Sequence, residues 1–264
     1  MIVVVRGGGD IATGVIQKLY RVGYKVLVLE ISKPTTIRRM VALSEAVYER
    51  YFTVEDLTGV LVHSQNEIHT AWENNNIPVI IDREGKMIDR IKPSIVVDAI
   101  LAKKNLGTNK KMAPITIGLG PGFYASVDVD IVVETKRGHH LGSLIFHGKA
   151  LNNTGVPGDI CGVSHERVIY SPNSGIINNL KMIGDCVEKG DRLATIADQE
   201  VVCPISGLIR GIIKDKTHVT KGLKIADIDP RKLEKKNCYQ VSDKARCIGG
   251  AVLEAILMLK RRIR

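Results

Sequence analysis

An α/β fold is predicted by three observations. An apolar strand runs into a glycine-rich turn within the first 14 residues, apolar runs alternate with amphipathic segments through the first half, and a sequence duplication occupies the second half. Residues 1–165 read as a Rossmann-like parallel sheet forming a nucleotide- or cofactor-binding domain. Residues 166–230 read as a small duplicated β domain, and residues 231–264 as a C-terminal helix.

The opening turn follows the strand at residues 2–5 and reads Arg6-Gly7-Gly8-Gly9-Asp10-Ile11-Ala12-Thr13-Gly14. Gly7, Gly9 and Ala12 fit a Gly-x-Gly-x-x-Ala spacing. In that spacing the first glycine permits a tight reversal, the second lets the backbone approach a pyrophosphate, and the third small residue lets the helix pack on the sheet. Ile11, Val15, Ile16, Leu19 and Tyr20 give the following helix an apolar face that stops at Gly23, and residues 25–30 form the second strand. Glu30, at its end, stands where a carboxylate would accept from ribose hydroxyls. Arg6, Gly7, Gly9, Asp10, Ala12 and Glu30 are thus candidate cofactor-binding residues. Arg6, Lys33, Arg38 and Arg39 either add charge for a phosphorylated ligand or form a solvated basic edge.

Beyond this unit, residues 35–49 read as a helix, 60–63 as a strand, 68–75 as part of a helix, and 77–82, 94–100 and 115–119 as strands. The polar segment 103–112 reads as an exposed loop. A second glycine cluster, Gly118-Leu119-Gly120-Pro121-Gly122, follows directly on a strand and is either a ligand loop facing the same crevice or an ordinary turn. The strand at 129–134 ends in Thr135-Lys136-Arg137-Gly138-His139-His140-Leu141-Gly142, which either offers Arg137, His139 and His140 as anion or substrate contacts or is a solvated basic turn. Adjacent histidines point to different sides, and no cysteine or carboxylate stands at ligand spacing, so no metal site is expected.

Composition narrows the partners. The net charge of +10 favours acidic ligands, but only 4% of residues are aromatic and no basic run is interleaved with them, which argues against nucleic acid. A small anionic ligand or an acidic protein is the expected partner. Five cysteines without a Cys-x-x-Cys pair read as cytosolic thiols, and no apolar stretch is long enough to span a membrane, so a cytoplasmic protein is expected. A homo-oligomer is left open.

From residue 170 onward, identities recur at a spacing of 32: Pro172/Pro204, Ser174/Ser206, Gly175/Gly207, Ile177/Ile209, Val187/Val219, Lys189/Lys221, Gly190/Gly222, Ala194/Ala226 and Ile196/Ile228. This pattern resembles the biotinyl and lipoyl carrier domains, which implies a barrel-sandwich. In those carriers a modified lysine occupies the hairpin between halves. Here that hairpin reads Ala197-Asp198-Gln199-Glu200, so neither biotin nor lipoate is expected.

The final segment begins with Ser242 as a helix N-cap and Asp243 in the first turn, and Lys260, Arg261, Arg262 and Arg264 complement its carboxyl end. Gly249 and Gly250 suggest close backbone packing or a ligand near the helix start. Cys247, one turn in, is either an activated thiol or a small core residue.

Taken together, RGGGDIATG, IRRMVALSEAVYE, GLGPGFYASVDVD, ETKRGHHLG and SDKARCIGGAVLEA resemble the YqeB-type accessory proteins of selenium-dependent molybdenum hydroxylases, over nearly the whole chain. The opening domain is similar to the nucleotide-binding half of XdhC-type factors. The resemblance implies a maturation factor that binds a nucleotide or molybdenum cofactor, assists selenation or insertion, and docks a molybdenum hydroxylase client. It would make Cys161 or Cys247 the thiol that handles selenium. Competing with it are an NAD(P)-dependent oxidoreductase, in which His139 or His140 moves a proton, and a scaffold without chemistry.

Overall fold

The computed structural model describes residues 1–152, 155 and 158–260. The chain divides into two units: Met1–Pro34 with Ala42–Thr154 and Val241–Arg264, and Thr35–Val41 with Gly155–Gln240. The first unit contains β1 (Ile2–Arg6), α1 (Asp10–Arg21), β2 (Lys25–Glu30), α2 (Ala46–Glu49), β3 (Tyr51–Val54), β4 (Leu57–Val62), α3 (Gln65–Glu73), β5 (Ile77–Ile81), α4 (Lys86–Ile91), β6 (Ile95–Asp98), β7 (Ile115–Leu119), β8 (Ile131–Val133), β9 (Leu144–Ile145) and α5 (Asp243–Leu259).

Its strands form one sheet in the order β3-β4-β5-β2-β1-β6-β7-β8-β9. The Rossmann-like parallel sheet expected from the sequence is corrected to a mixed one. The strands from β4 to β8 in that order run parallel, and an antiparallel strand closes each edge. On one side the reason is local: Glu55, at φ 53°, turns the chain back so that β3 pairs β4 as a hairpin. At the other edge β9 returns along β8. The central strands are valine- and isoleucine-rich because both faces are covered, with Val3, Val4 and Val5 fully buried. Val4, Leu27, Ile68, Trp72, Met87 and Val96 form the core on one face, and the Trp72 indole N–H donates to the Val26 carbonyl at 2.7 Å.

Residues 35–49, expected as one helix, instead make 3-10 turns at Arg39–Val41 and Leu43–Glu45 before the short α2. The backbone N–H groups of this stretch are spent elsewhere. Leu43 donates to the Thr13 hydroxyl at 3.0 Å and Ser44 to the Gly8 carbonyl at 2.9 Å.

Helix α5 packs along α1. A Cβ on Gly14 would stand 2.5 Å from the Ala245 carbonyl oxygen, and one on Gly249 would collide with the Gly14 carbonyl and approach Lys18. Contacts pairing 14 with 245 and 18 with 249 mean that the two helices run in the same direction, so their N-termini lie side by side. The glycines permit this approach where any side chain would hold the helices apart.

The second unit contains β10 (Val168–Tyr170), β11 (Gly175–Asn179), β12 (Cys186–Val187), β13 (Arg192–Ile196), β14 (Gln199–Val202), β15 (Gly207–Ile212), β16 (His218–Val219) and β17 (Lys224–Asp229). The biotinyl/lipoyl-like barrel-sandwich is corrected to two four-stranded antiparallel sheets, β10-β17-β15-β12 and β14-β13-β11-β16. The duplication dictates where strands occur rather than a carrier barrel. Short β12 of the first copy joins β15 of the second, and short β16 of the second joins β11 of the first. Ile177, Leu193, Ile196, Ile209, Val219, Ile225 and Ile228 are fully buried in its core. Among the described residues no helix is long and apolar enough to cross a membrane.

Candidate functional site

The opening turn is filled by its own chain. Gly7, at φ 92°, donates to the Leu29 carbonyl at 2.8 Å, and a Cβ on it would stand 3.1 Å from the Ala99 carbonyl oxygen and the Ile100 Cα after β6. Glu30 turns inward: its carboxylate accepts from the Gly8 N–H and the Ile31 N–H, both at 2.8 Å. Burial raises the Glu30 carboxyl above the ordinary glutamate range, against those two hydrogen bonds. Gly9 is the N-cap of α1, where its carbonyl accepts from the Thr13 N–H and hydroxyl, and Ala12 is buried under the helix.

Arg6 is not a surface cation beside this turn. It is 3% exposed and bonds the Thr108 hydroxyl, which donates to Asp98 at 2.5 Å, with Asp98 itself 3.7 Å from the guanidinium. The ion pair joins the ends of β1 and β6, and burial raises the Asp98 carboxyl despite Thr108, Ile100 and Arg6. Thr108 comes from the segment expected to be an exposed loop, yet it is 1% exposed.

The second glycine cluster is also mostly packing. A Cβ on Gly118 would strike the Phe123 ring at 2.6 Å, one on Gly120 the Thr135 hydroxyl, and one on Gly122 the Lys104 backbone at 2.7 Å. Gly122 nonetheless borders open space. Beyond the carboxyl ends of β6 and β7 lies a cavity of about 790 Å³ lined by Lys103, Pro121, Gly122, Tyr124, Val127, Asp128, Lys149 and Asn152. Lys103 and Ser126 are held at φ 62° and 73° around it, and the Lys149 ammonium lies 5.9 Å from the Tyr124 ring centre. Asp128 is engaged, accepting from the Tyr124 N–H at 2.7 Å.

A third locus joins segments far apart in sequence. Arg137 makes a bidentate pair with Asp243, both bonds 2.8 Å, which ties the loop after β8 to the start of α5. Glu134 accepts from the N–H groups of Thr135, Lys136 and Leu151, each at 2.8 Å. Gly142 lies so close to Cys247 that a Cβ would meet its sulfur at 2.9 Å, and the Cys247 thiol donates to the Leu141 carbonyl at 3.5 Å. His139 and His140 meet edge to face, 5.3 Å between ring centres. Lys244 sits among these groups, half-buried. Burial pulls its ammonium below the ordinary lysine range and Arg137 adds to this, while Asp10, Glu134 and Asp243 oppose it.

The structure therefore brings Asp10, Arg137 and Cys247 into one neighbourhood and leaves Gly7, Gly9 and Glu30 in a closed turn. Cys161 is exposed in the second unit at φ 53°. Sequence reasoning missed Lys103, Lys149, Glu134 and Lys244. Only Lys244 carried a readable signal: a cation in the first turn of a helix opposes the macrodipole. Among the described residues no cluster of three or more histidine, cysteine or carboxylate side chains is arranged to hold a metal ion.

No family model matches the chain. It is 50% identical over 258 residues to YqeB of Escherichia coli (strain K12), described as uncharacterized, a match that takes in 98% of this chain and 48% of YqeB. Similar solved structures include a succinylglutamate desuccinylase from Silicibacter sp. TM1040, at 13% identity and TM-score 0.27, covering 86% of this chain and 84% of that one. The ectoine utilization protein EutE (DoeB) of Ruegeria pomeroyi aligns at 11% identity and TM-score 0.25, covering 86% and 85%. An aspartoacylase family protein from Mesorhizobium loti aligns at 11% and 0.26, covering 87% and 84%.

These findings correct the family resemblance read from the sequence. YqeB brings no molybdenum or selenium function with its description, and the solved structures are desuccinylase and aspartoacylase proteins rather than XdhC-type factors. Neither the maturation-factor function nor its NAD(P)-dependent oxidoreductase alternative stands. At TM-scores of 0.25 to 0.27 the alignments carry no hydrolase chemistry to this chain. The chain spans about half the length of the curated relative it matches.

Proposed function

We propose that the first unit binds a small anion, a carboxylate or phosphate ester, in the cavity beyond the carboxyl ends of β6 and β7. One observation carries this reading. Lys103 and Lys149 line the same cavity, while the carboxylate beside them, Asp128, is already bonded to the Tyr124 N–H. Two cations facing one occupied carboxylate leave a local positive field that an anion would neutralise, and the net charge of +10 steers anions toward the chain. The position supports it as well, because open α/β sheets bind ligands outside the carboxyl ends of their strands. Tyr124 and Val127 supply apolar surface for a ligand body, and Asn152 adds an amide that can both donate and accept.

Titration calorimetry with inorganic pyrophosphate and with malonate, at low and high salt, tests this. Binding that weakens with salt is expected, with Lys103→Met and Lys149→Met each reducing affinity about tenfold. Affinity equal to wild type in both variants, or no binding of either probe, overturns the reading.

A further inference from the structure

We propose that the anion taken by the cavity beyond β6 and β7 carries an aromatic ring, so that the ligand is an aryl or heteroaryl carboxylate or phosphate ester rather than a bare oxyanion. This rests on the anion site proposed above and names the class of molecule that its walls select.

Size is the first reason. At about 790 Å³ the cavity has the volume of pockets that bury most of a cofactor-sized ligand. A carboxylate or phosphate group between Lys103 and Lys149 fills only a small part of it. The rest of the wall is largely apolar, formed by Pro121, Tyr124 and Val127. Tyr124 and Val127 are 41% and 65% exposed, so both have surface left for a ligand to cover.

The chain also fixes the ring in place. On one side of Tyr124, Phe123 is buried against Gly118; on the other, Ala125 is fully buried and donates to the Gly148 carbonyl at 2.8 Å. The Tyr124 backbone is closed into a turn, its N–H on the Asp128 carboxylate at 2.7 Å and its carbonyl accepting from the Val127 and Asp128 N–H groups at 3.2 and 2.9 Å. A platform ordered before the ligand arrives costs little entropy on binding.

Spacing links the ring to the charge. The pairing of Ala125 with Gly148 brings Lys149 beside Tyr124, and the Lys149 ammonium lies 5.9 Å from the ring centre. Among the described residues no carboxylate stands within ion-pair distance of Lys103 or Lys149. A ring stacked on Tyr124 therefore has an anionic substituent within reach of a cation that no carboxylate neutralises. A bare anion would leave the Tyr124 face wet, whereas an aromatic body gains both the apolar burial and the preferred ring-on-ring geometry. Asn152, on the same cavity, can donate to or accept from a heteroatom at the ring edge.

The test is titration calorimetry with methyl phosphate and phenyl phosphate at about pH 8, where both are dianions and differ only in the body they carry. Phenyl phosphate is expected to bind wild type about tenfold more tightly. That preference should disappear in Tyr124→Ala, persist in Tyr124→Phe, and persist in Lys103→Met, which weakens both esters by the same factor. Val127→Ser, at a residue mostly in solvent, should cost phenyl phosphate about threefold and methyl phosphate nothing, which keeps the test decisive if Tyr124→Ala does not fold. Equal affinity of the two esters for wild type overturns the aromatic class and leaves the anion site standing. An undiminished preference in Tyr124→Ala with wild-type circular dichroism, or in Val127→Ser, overturns it as well. Failure of wild type to bind either ester removes the anion site and this inference together.

Discussion

The two glycine turns at the carboxyl end of the first sheet share composition and differ in what fills them. Around Gly7 to Gly9 the chain supplies its own partners, with Glu30 on the Gly8 N–H and Ser44 on the Gly8 carbonyl. Around Gly120 to Gly122 the glycines are just as tightly packed on one side, but the other side opens into a cavity bordered by two lysines. A glycine-rich turn after a strand therefore specifies only that backbone must come close to something. Whether that something is a ligand or another part of the chain depends on side chains far away in sequence.

The sharpest way to break the comparison is at the helix behind the closed turn. Gly14→Ala places a methyl group 2.5 Å from the Ala245 carbonyl, and a loss of about 3 kcal/mol is expected in urea unfolding, at the upper end of what overpacking costs. A loss below about 0.5 kcal/mol would mean that α1 and α5 do not pack as described.

Next in size is Glu30. Glu30→Ala strands two N–H groups and is expected to lose about 2 kcal/mol. The pH dependence has a definite sign. Because burial raises the carboxyl in the folded state, the folded chain holds that proton more tightly than the unfolded chain. Its contribution is full below the ordinary glutamate value of about 4.3 and is lost as pH rises through the raised value. Wild type should lose stability relative to Glu30→Gln as pH rises from the ordinary glutamate value of about 4.3 through the raised value. Parallel profiles would show that the carboxyl is not desolvated.

The smallest effect lies on the outer flank of α1 and calibrates the others. Arg21 bonds Asp56 twice at 2.7 Å and holds its carboxyl down to about 2. Both groups are well exposed, so Arg21→Ala should cost only about 0.5 kcal/mol at neutral pH. That loss should be present above the ordinary aspartate range and vanish as pH falls through about 2.

Much of the local order was legible. Val3 to Val5 read as a buried strand, the 3.6-residue period of Ile11, Val15, Ile16 and Leu19 as a helix, and the 32-residue spacing of Pro172/Pro204 and Gly175/Gly207 as a duplication. What failed depended on direction and distance. Glu30 was placed correctly on its strand, but whether its carboxylate faced outward or back onto Gly8 is a tertiary choice. The same holds for Arg6, whose partners Asp98 and Thr108 lie about a hundred residues on. Residues 35–49 have helical periodicity, yet Leu43 and Ser44 find better acceptors in Thr13 and Gly8. Lys244 became notable only once α1, Glu134 and Arg137 surrounded it.

The pairing of α1 with α5 also bears on how the molecule is made. Gly14 precedes Gly249 by more than 200 residues, so α1 is made well before α5 and the second unit's strands are produced in between. Nascent α1 must keep the face around Gly14 unsatisfied through more than 200 residues of elongation. Chains released before α5 is made are accordingly expected to expose that face and to be the species that chaperones and proteases meet first.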